Sequence, residues 1–494
     1  MRQIILLLFL IFLLQPDIIY SQGIKNIWLT GYESQYGDPN FGESTINFLS
    51  GSATVSSNSL DMDFRQTHAN IADTIGNILF YTNGYYIADA NGDTMLNGSG
   101  INPSTFTTNN PRGLTIPQGA IIIPFPGHAS EYLLFHSTID DSLGVVVPNY
   151  LYYSIVDITL NFGLGEVIQK NQVAIFDELD IGKISGIKHA NGRDWWITCF
   201  QANSDSIYTL LVTPNGIGQA NIQQIGDHRI RNTGQVSVSN DGSRLAYYFF
   251  LEGLEIFEFD RCTGLFTNPI LISTPFTSGY GVSFSPSGNK VYVSDEDSLF
   301  QYDLTSSNVA GSQTLVAVYD SFLSSGPIPL PTMFNLLALA PDGKIYMTTG
   351  NGTQHYHIID QPDSLGLACN VIQHGLQLPH YYFNTLPNHP NYHLGPLVGS
   401  VCDTIYNGLP PPEERLTLKL YPNPNNGTFQ ITYTPVPESL QLKVFNILGN
   451  EVHTQLLPQW SQLQNIKLSN INSGIYFAKL SSTKSSTSIK FMIE

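Results

Sequence analysis

Three segments of the chain share one pattern, in which apolar and polar residues alternate, a short turn follows and the alternation resumes. They are residues 236–247, 282–293 and 337–347. Each turn combines Pro or Asn, then Asp or Ser, then Gly, which starts a bend and supplies a positive φ. Alternation places every second side chain on one face of a strand. Each segment therefore predicts a β-hairpin with one buried face.

These hairpins recur at a nearly constant distance along the chain. The turn glycines are separated by 50, 46 and 55 residues and are Gly192, Gly242, Gly288 and Gly343. A four-stranded propeller blade of the WD40-like type repeats every 40–50 residues or so. Weaker copies of the hairpin occur at residues 72–81, 120–136 and 187–197. Six units are thus visible, and we expect a seventh to combine residues 25–30 with residues 381–397.

The expected fold of residues 23–401 is therefore an all-β propeller of about seven blades. A pair of β-sandwiches is the alternative, because it too consists of short alternating strands. The composition fits both: the 494 residues include 42 Gly, 29 Pro, 27 Phe and 26 Tyr, and only 12 % are charged, against about 25 % in a typical domain. Aromatic residues interrupted by Gly and Pro are typical of strands joined by tight turns.

Charge narrows the range of partners. The formal net charge is −18, which argues against nucleic acid, because neutralising phosphates requires clustered Lys and Arg. It also disfavours docking on a bare anionic membrane. The simplest interpretation is solubility outside the cell.

The N-terminus predicts a secretory signal peptide over residues 1–21. Arg2 supplies a positive charge, residues 4–14 form an unbroken apolar run, and Ser21 is a small residue at the expected cleavage site. The run is shorter than the roughly 20 residues that span a membrane. No later segment is long and apolar enough to do so, and we therefore expect an exported chain without a transmembrane helix.

Four cysteines in an exported chain permit two disulfides in three connectivities. They are Cys199, Cys262, Cys369 and Cys402. No two of them form a C-x-x-C pair, which disfavours a zinc knuckle. Buried free thiols are the alternative, because a large β-fold does not need covalent cross-links.

A linker and a second domain follow the body. Residues 402–414 include three consecutive prolines, then Glu413 and Glu414, a combination that does not pack as a strand. Residues 415–494 then contain Tyr-Pro-Asn-Pro, Val-Phe-Asn and Gly-Ile-Tyr motifs and a lysine close to the end. The motif residues are Tyr421, Pro422, Asn423, Pro424, Gly427, Asn446, Gly449, Gly474, Tyr476 and Lys490.

In this order and at this end of the chain, the motifs resemble the type A C-terminal sorting domain of type IX secretion. The resemblance implies a small immunoglobulin-like β-sandwich that directs the chain to the type IX secretion machinery. It also implies passage through the periplasm, followed by release or display on the outer-membrane cell surface. A purely structural immunoglobulin-like module is the alternative.

The body resembles a family of secreted, propeller-like proteins of gliding, type IX-secreting bacteria. The resemblance runs through residues 76–84, 151–157, 188–195 and 280–285. These motifs consist mostly of turns and strands. They imply architecture and export and identify no reaction.

Signatures of catalysis and of metal binding are weak, and we predict no catalytic, cofactor-binding or metal-binding residue. The sequence has no G-x-S-x-G, H-E-x-x-H or P-loop motif. Six of the 12 histidines lie between His355 and His393, where an edge-strand pair and loop positions explain them better than a metal site. Residues 89–93 resemble a calcium loop but fit a hairpin turn better. Trp195 and Trp196 predict one core side chain and at most one that lines a groove.

A tripeptide of Asp, then Ser or Thr, then an aliphatic residue recurs along the chain. It resembles the O-glycan acceptor motif of the same bacterial group, and a turn that precedes a strand is the alternative interpretation. The candidate acceptors are Thr74, Thr94, Ser142, Ser206, Ser298, Ser364 and Thr404.

The sequence thus favours a binding, adhesion or scaffolding function for the body, directed at a surface glycan or protein that the sequence does not identify. A secreted propeller enzyme acting on carbohydrate or peptide is the alternative. Such an enzyme would need two carboxylates, or a histidine with a carboxylate, at the mouth of the ring. Those residues would come from different blades, so no local motif would reveal them.

Overall fold

A computed structural model describes residues 23–140, 147–249, 251–274, 278–325, 329–403, 416–436, 438–469, 471–482 and 485–494. The expected signal peptide and most of the expected linker lie outside these residues. No helix in the described part of the chain is long and apolar enough to cross a membrane. The helix α1 (Thr105–Asn109) is short and is capped by Ser104. Single 3-10 turns occur at Ser34–Tyr36, Asn161–Gly163, Ala310–Ser312 and Gly366–Cys369.

The body forms seven sheets that follow one another along the chain. Sheet 1 contains β1 (Ile27–Tyr32), β2 (Gly42–Asn47) and β3 (Thr54–Asn58). Sheet 2 contains β4 (Ala69–Ala72), β5 (Ile78–Thr82), β6 (Tyr86–Asp89) and β7 (Thr94–Ser99). Sheet 3 contains β8 (Ala120–Pro124), β9 (Glu131–Ser137), β10 (Tyr150–Asp157) and β11 (Glu166–Phe176). A parallel pairing of Glu166 with Leu96 joins the outer strands of sheets 2 and 3.

The remaining four sheets repeat the same up-and-down order. Sheet 4 contains β12 (Ser185–Lys188), β13 (Trp195–Phe200), β14 (Ser204–Thr213), β15 (Gly216–Ile217) and β16 (Asn221–Arg229). Sheet 5 contains β17 (Gln235–Val238), β18 (Arg244–Phe249), β19 (Gly253–Asp260) and β20 (Leu265–Ile272). Sheet 6 contains β21 (Val282–Phe284), β22 (Lys290–Asp295), β23 (Ser298–Asp303) and β24 (Thr314–Val318). Sheet 7 contains β25 (Phe334–Leu339), β26 (Ile345–Thr349), β27 (Gly352–Ile359) and β28 (Val371–Phe383).

Apolar side chains fill the space between each pair of consecutive sheets. Ala246 and Ile256 of sheet 5, for example, pack with Val291 of sheet 6 in one buried cluster. The ring closes where sheet 1 meets sheet 7, because Trp28 lies 5.8 Å from Tyr346, centroid to centroid. Seven sheets arranged in this way form a propeller, which confirms the expected fold and excludes the pair of sandwiches.

The turn glycines define the repeat as expected. Gly192, Gly242, Gly288 and Gly343 connect the first two strands of sheets 4 to 7, each with a φ between 69° and 80°. Sheets 2 and 3 have Gly76 and Gly127 at the equivalent turns. A positive φ is costly for any residue with a Cβ, so the same residue type recurs at the same place in six sheets.

The expectation that residues 25–30 and residues 381–397 together form the seventh blade was wrong. Strand β1 pairs only with β2, and sheet 1 contains no strand from the other end of the body. Residues 384–397 instead leave the end of β28 and enter the centre of the ring. Prolines at positions 387, 390 and 396 explain this path, because each removes a backbone donor that a strand inside a sheet would need.

One disulfide forms among the four cysteines. Cys262 and Cys402 are bonded, with Cα atoms 5.7 Å apart. Cys199 and Cys369 are buried free thiols, and burial raises the pKa of each. The sequence left open two disulfides or buried free thiols. The structure contains one disulfide and two buried free thiols.

The C-terminal domain is a two-sheet sandwich, as expected. Its strands are β29 (Leu418–Tyr421), β30 (Thr428–Tyr433), β31 (Leu440–Asn446), β32 (Glu451–Leu457), β33 (Leu463–Lys467), β34 (Gly474–Ser481) and β35 (Ser486–Ile493). The first sheet has the order β29-β30-β33 and the second β32-β31-β34-β35. Phe429, Val444, Ala478 and Phe491 meet between them in a core of their own.

Candidate functional site: the central channel

The first strands of the sheets surround a central channel. A first strand is an edge strand, so some of its backbone groups face the channel without a neighbouring strand. Glutamine side chains satisfy several of them. Gln118 Oε1 accepts from Val236 N at 2.8 Å, and Gln235 Oε1 accepts from Val282 N at 2.9 Å and from Leu337 N at 3.0 Å. These amides join first strands that belong to different sheets.

Residues 384–397, which we call the channel segment, satisfy further backbone groups. Its side chains donate to backbone carbonyls of sheets 3 to 5 and their turns. Asn388 Nδ2 donates to Ala120 O at 3.0 Å and to Ile184 O at 2.8 Å. Tyr392 OH donates to Ile122 O at 2.7 Å, and Asn391 Nδ2 donates to Asn240 O at 2.6 Å. Buried backbone carbonyls need such partners. The segment is therefore part of the ring's hydrogen-bond network.

The far end of the channel segment is anchored to sheets 4 and 5. Leu397 N donates to Ala190 O at 2.7 Å, and the Arg261 guanidinium donates to Gly395 O at 2.5 Å. The disulfide between Cys262 and Cys402 holds the chain just beyond this point. Hydrogen bonds and a covalent bond together hold the segment inside the ring.

A cavity of about 130 Å³ remains beside the channel segment. Its polar lining includes Lys25, Lys188, His389 and Asn391, and Trp28 is part of its apolar wall. No Asp or Glu lines this cavity in the part of the chain that the structure describes. A second cavity, of about 200 Å³, lies at the other mouth and is lined by Tyr280 and by one carboxylate, Glu296.

The first cavity is electrostatically unusual. Burial lowers the pKa of Lys25 to about 8, and burial together with the nearby Arg261 lowers the pKa of Lys188 to about 8. Burial also lowers the pKa of His389 and His393 to about 3, so both imidazoles are neutral. The site thus combines two ammonium groups with two uncharged imidazoles.

The histidine cluster predicted from the sequence does not converge on one point. His389 and His393 belong to the channel segment, whereas His380 binds Pro39 O and Ser57 Oγ. His355 and His357 both contact His374, but they lie on β27, which has a strand on each side and is not an edge. Among the described residues no group of three or more His, Cys, Asp or Glu side chains is arranged to hold a metal ion.

One set of residues has the order of a hydrolytic triad. Thr332 Oγ1 lies 3.2 Å from His374 Nδ1, and His374 Nε2 lies 3.0 Å from Asp320 Oδ2. However, Thr332 is fully buried, and its hydroxyl also lies 3.3 Å from Phe322 O. No substrate reaches that hydroxyl in this conformation, so the set is a structural hydrogen-bond chain.

The other candidate sites have structural roles. Residues 89–93 form the hairpin turn between β6 and β7, with Gly92 at a φ of 96°. Trp195 and Trp196 are both buried, and the Trp196 indole donates to Arg261 O at 2.9 Å. Neither tryptophan is free to stack on a sugar ring.

The candidate glycan acceptors differ in exposure. Thr94, the first residue of β7, is exposed, whereas Ser206 is only 2 % exposed within β14. Thr74, Ser298 and Ser364 are half-buried at turns or strand starts. Ser142 and Thr404 lie outside the described residues.

Asp73 illustrates the turn interpretation of these tripeptides. Its Oδ1 accepts from the backbone N–H groups of Ile75 and Asn77 at 2.9 and 2.8 Å. Asp73 thus stabilises its own turn, and this structural role accounts for the tripeptide at residues 73–75 without a glycan.

The sorting-motif residues shape the turns and the end of the C-terminal sandwich. Asn423 Oδ1 accepts from Met492 N at 2.9 Å, which ties the Tyr-Pro-Asn-Pro segment to the last strand. Gly427 and Gly449 have positive φ values of 91° and 80°. Asn446 Oδ1 accepts from Asn450 N at 3.0 Å.

The remaining motif residues are either buried or fully on the surface. Tyr476 is buried and its hydroxyl donates to Asn472 O at 2.7 Å, whereas Tyr421 and Lys490 are exposed. Pro422 and Pro424 lie in the loop after β29, and Gly474 begins β34. The motif therefore encodes turn geometry together with a few exposed side chains.

Glu43 is a buried carboxyl that no motif or pattern in the sequence marks. It is 1 % exposed, and neither carboxyl oxygen has a hydrogen-bond partner. Burial, followed by repulsion from Asp63 and Asp61, raises its pKa well above the usual range. The residue is closed to any substrate.

We expect Glu43→Gln to stabilise the body at neutral pH. A raised pKa means that the folded state keeps a proton which the unfolded state releases above about pH 4.5, so wild-type stability falls as pH rises. Removing the carboxyl should raise the free energy of unfolding by roughly 1–3 kcal/mol at pH 7. Urea unfolding at pH 4 and pH 7 measures this; the gain should vanish at pH 4. The exposed Glu258→Gln is the control, and equal gains in both variants would contradict the account.

Comparisons with known proteins identify the C-terminal domain. A family model described as "Secretion system C-terminal sorting domain" matches residues 419–494. The resemblance noted from the sequence is therefore confirmed: this domain is a sorting domain of the type IX secretion system. No curated protein matches the chain.

Several solved structures are similar to the chain at low identity. One is PpgL, a periplasmic gluconolactonase of Pseudomonas aeruginosa (11 % identity, 90 % of this chain and 100 % of that chain, TM-score 0.34). Another is a putative 6-phosphogluconolactonase of Bacteroides uniformis (13 % identity, 73 % and 98 %, TM-score 0.39). At such scores these similarities carry no argument about activity.

Proposed function

We propose that the body is a binding module, for adhesion or scaffolding, which the C-terminal domain delivers outside the cell. The sorting domain marks the chain for export, followed by secretion or attachment to the cell surface. The body then presents the loops of seven sheets on a closed and rigid ring. Such a ring supports recognition without any moving part.

The observation that carries this proposal is the content of the channel. An enzyme acting on carbohydrate or peptide would need a pair of carboxylates, or a histidine with a carboxylate, open to the substrate. The two cavities contain only one carboxylate, Glu296, among the described residues that line them. In the triad-like set the hydroxyl of Thr332 is buried, although Asp320 of the same set is exposed. The channel segment also fills much of the space in which a substrate would bind.

The test uses the purified exported protein and cells that lack its gene. We expect the fluorescently labelled protein to bind these cells saturably and to be displaced by unlabelled protein. Panels of glycoside, ester and peptide substrates should show no turnover above a heat-denatured control. Turnover abolished by Glu296→Gln would establish the enzyme alternative instead. A failure to bind cells, their extracts or a glycan array would overturn the binding proposal.

We also propose that some Asp-Ser/Thr tripeptides carry O-glycans in the native host. Exposure makes Thr94 the best acceptor, and the 2 % exposure of Ser206 makes it the matched control. We expect Thr94→Val to remove one glycan mass from the exported protein and Ser206→Ala to remove none. Both changes leave the preceding aspartate, and hence the turn, intact. Intact-mass spectrometry decides; an unchanged mass for Thr94→Val would leave only the turn interpretation at that position.

A further inference from the structure

We propose that the central channel contains a binding site for a small carboxylate, held by Lys25 and Lys188 beside the channel segment. The inference rests on the proposed binding function and names a ligand class for it. The site, which we call the cationic cavity, is lined by Lys25, Lys188 and His389, and His393 lies beside it, close to both lysines. Its elements are the residues before β1, the end of β12 and the channel segment.

The first observation is that neither lysine is directly paired with a carboxylate, although Asp194 is near enough to Lys188 to attract its charge. Neither Lys25 nor Lys188 forms an ion pair within the described residues, although the chain as a whole has a formal net charge of −18. By contrast, Lys183, Lys290 and Lys344 of the same body are each paired with an aspartate. A buried or half-buried ammonium without a partner is costly, and a bound anion would supply the missing charge.

The second observation is that polar groups nearby are unsatisfied. His393 has no hydrogen-bond partner at either ring nitrogen, and His389 has none at Nδ1. His393 lies close enough to both lysines that each contributes to lowering its pKa. A neutral imidazole donates from one nitrogen. The His389 proton is used on Nε2, which donates to Asn70 O at 2.9 Å, so its free Nδ1 is an acceptor, and only His393 offers a donor in addition to the two ammonium groups.

The third observation is the shape and lining of the cavity. Its volume of about 130 Å³ is close to that of a cavity of roughly 150 Å³ that binds benzene, which suits a small organic molecule. Trp28 and Leu336 provide apolar wall on one side. The Lys188 ammonium lies 4.2 Å from the centre of the Trp195 ring, which fixes its direction through a cation–π contact.

These features favour an organic carboxylate over a divalent cation or a neutral ligand. Positive charge without any lining carboxylate repels a metal ion. The desolvation that lowers the pKa of both lysines would be offset by an anion, which favours their charged form. Two ammonium groups, with the His393 imidazole beside them, match the two oxygens of a carboxylate, such as that of a sugar acid.

The test is calorimetric titration of the purified exported protein with D-glucuronate, D-glucose and inorganic phosphate at low ionic strength. We expect glucuronate to bind and glucose, which lacks only the carboxylate, not to bind. Lys188→Gln and Lys25→Gln should each raise the Kd for glucuronate about tenfold or more, since a hydrogen bond to a charged group contributes roughly 1.5–3 kcal/mol. Lys170→Gln, which removes a lysine from the outer strand β11, is the control and should leave the Kd unchanged.

The outcomes separate this inference from the proposed function. Phosphate binding as tightly as glucuronate, with the same lysine dependence, would support the anion site and assign it to oxyanions in general. Equal binding of glucose, or a Kd unchanged in both lysine variants, would overturn the inference. Thermal melting verifies that each variant is folded. Lys188→Arg keeps the positive charge and should therefore retain glucuronate binding. Saturable binding to cells without glucuronate binding would leave the proposed function standing and remove this site.

Discussion

A chain that ends at residue 415 should remain in the periplasm. The predicted signal peptide should still carry it across the inner membrane, but the sorting domain, which directs export, would be missing. We expect the protein in the medium and on the cell surface to fall to background, while the periplasmic amount rises. Fractionation with immunodetection of the body measures both pools.

The control for this truncation is the state of the trapped body. The sandwich has a core of its own, separate from the cores between the sheets of the ring. The periplasmic product should therefore be folded and should resist proteolysis like the body of the full chain. Equal amounts of truncated and full chain outside the cell would contradict the sorting role. If the truncated product is degraded, the sorting role is tested with a second variant, Gly427→Val. This substitution strains one turn of the sorting motif and leaves the body unchanged.

The second large effect is expected from removing residues 23–50, which opens the ring. Six large apolar side chains of these residues are buried in clusters that include residues of sheets 2, 3 and 7: Ile24, Ile27, Trp28, Leu29, Ile46 and Phe48. At ~1.5–3 kcal/mol for each side chain, their burial contributes roughly 9–18 kcal/mol. The whole net stability of a domain is only about 5–15 kcal/mol. We therefore expect the truncated body to unfold as a whole.

Circular dichroism and limited proteolysis compare this variant with the wild-type body. The truncated chain should lose its cooperative melting transition, and sheets 2 to 7 should be digested together. Trp28→Ala is the milder companion and should cost about 3–5 kcal/mol. A melting temperature unchanged by the loss of residues 23–50 would mean that sheet 1 is not part of a closed ring.

The sequence was sufficient for the features that depend on neighbouring residues. An Asp-Gly or Ser-Gly turn between alternating strands specifies a hairpin locally, and Gly242, Gly288 and Gly343 marked three sheets correctly. The sorting domain was equally predictable, because its turns are each closed by hydrogen bonds within a few residues: Gly427 N donates to Asn425 Oδ1, and Asn450 N donates to Asn446 Oδ1.

The features that depend on distant residues were not predictable in this way. The path of residues 384–397 depends on acceptors such as Ala120 O and Ile184 O, which lie more than 200 positions away. The spacing of the prolines in residues 384–397 argues against a strand, but no local pattern indicates that these residues enter the central channel. The pairing of Cys262 with Cys402 depends on the same path.

The cationic cavity shows the same limit most clearly. Lys25 and Lys188 come from different sheets, and nothing around either residue in the sequence marks it as unpaired. Only the closed ring brings both to the channel segment. Conversely, the histidine-rich stretch of residues 355–393 is dense in the sequence, yet its members do not meet at one point. Those on β27 and β28 lie together in sheet 7, whereas His389 and His393 belong to the channel segment.

The division of the chain into a closed ring and a separate export domain is tested most directly by the intact mass of the protein recovered from the cell surface or the medium. We expect a chain that starts near Gln22 and ends between residues 402 and 415, with any glycan mass removed chemically beforehand. Such a product retains all seven sheets and the Cys262–Cys402 disulfide. A mass that still includes residues 416–494, or one that ends within sheets 1 to 7, would contradict it.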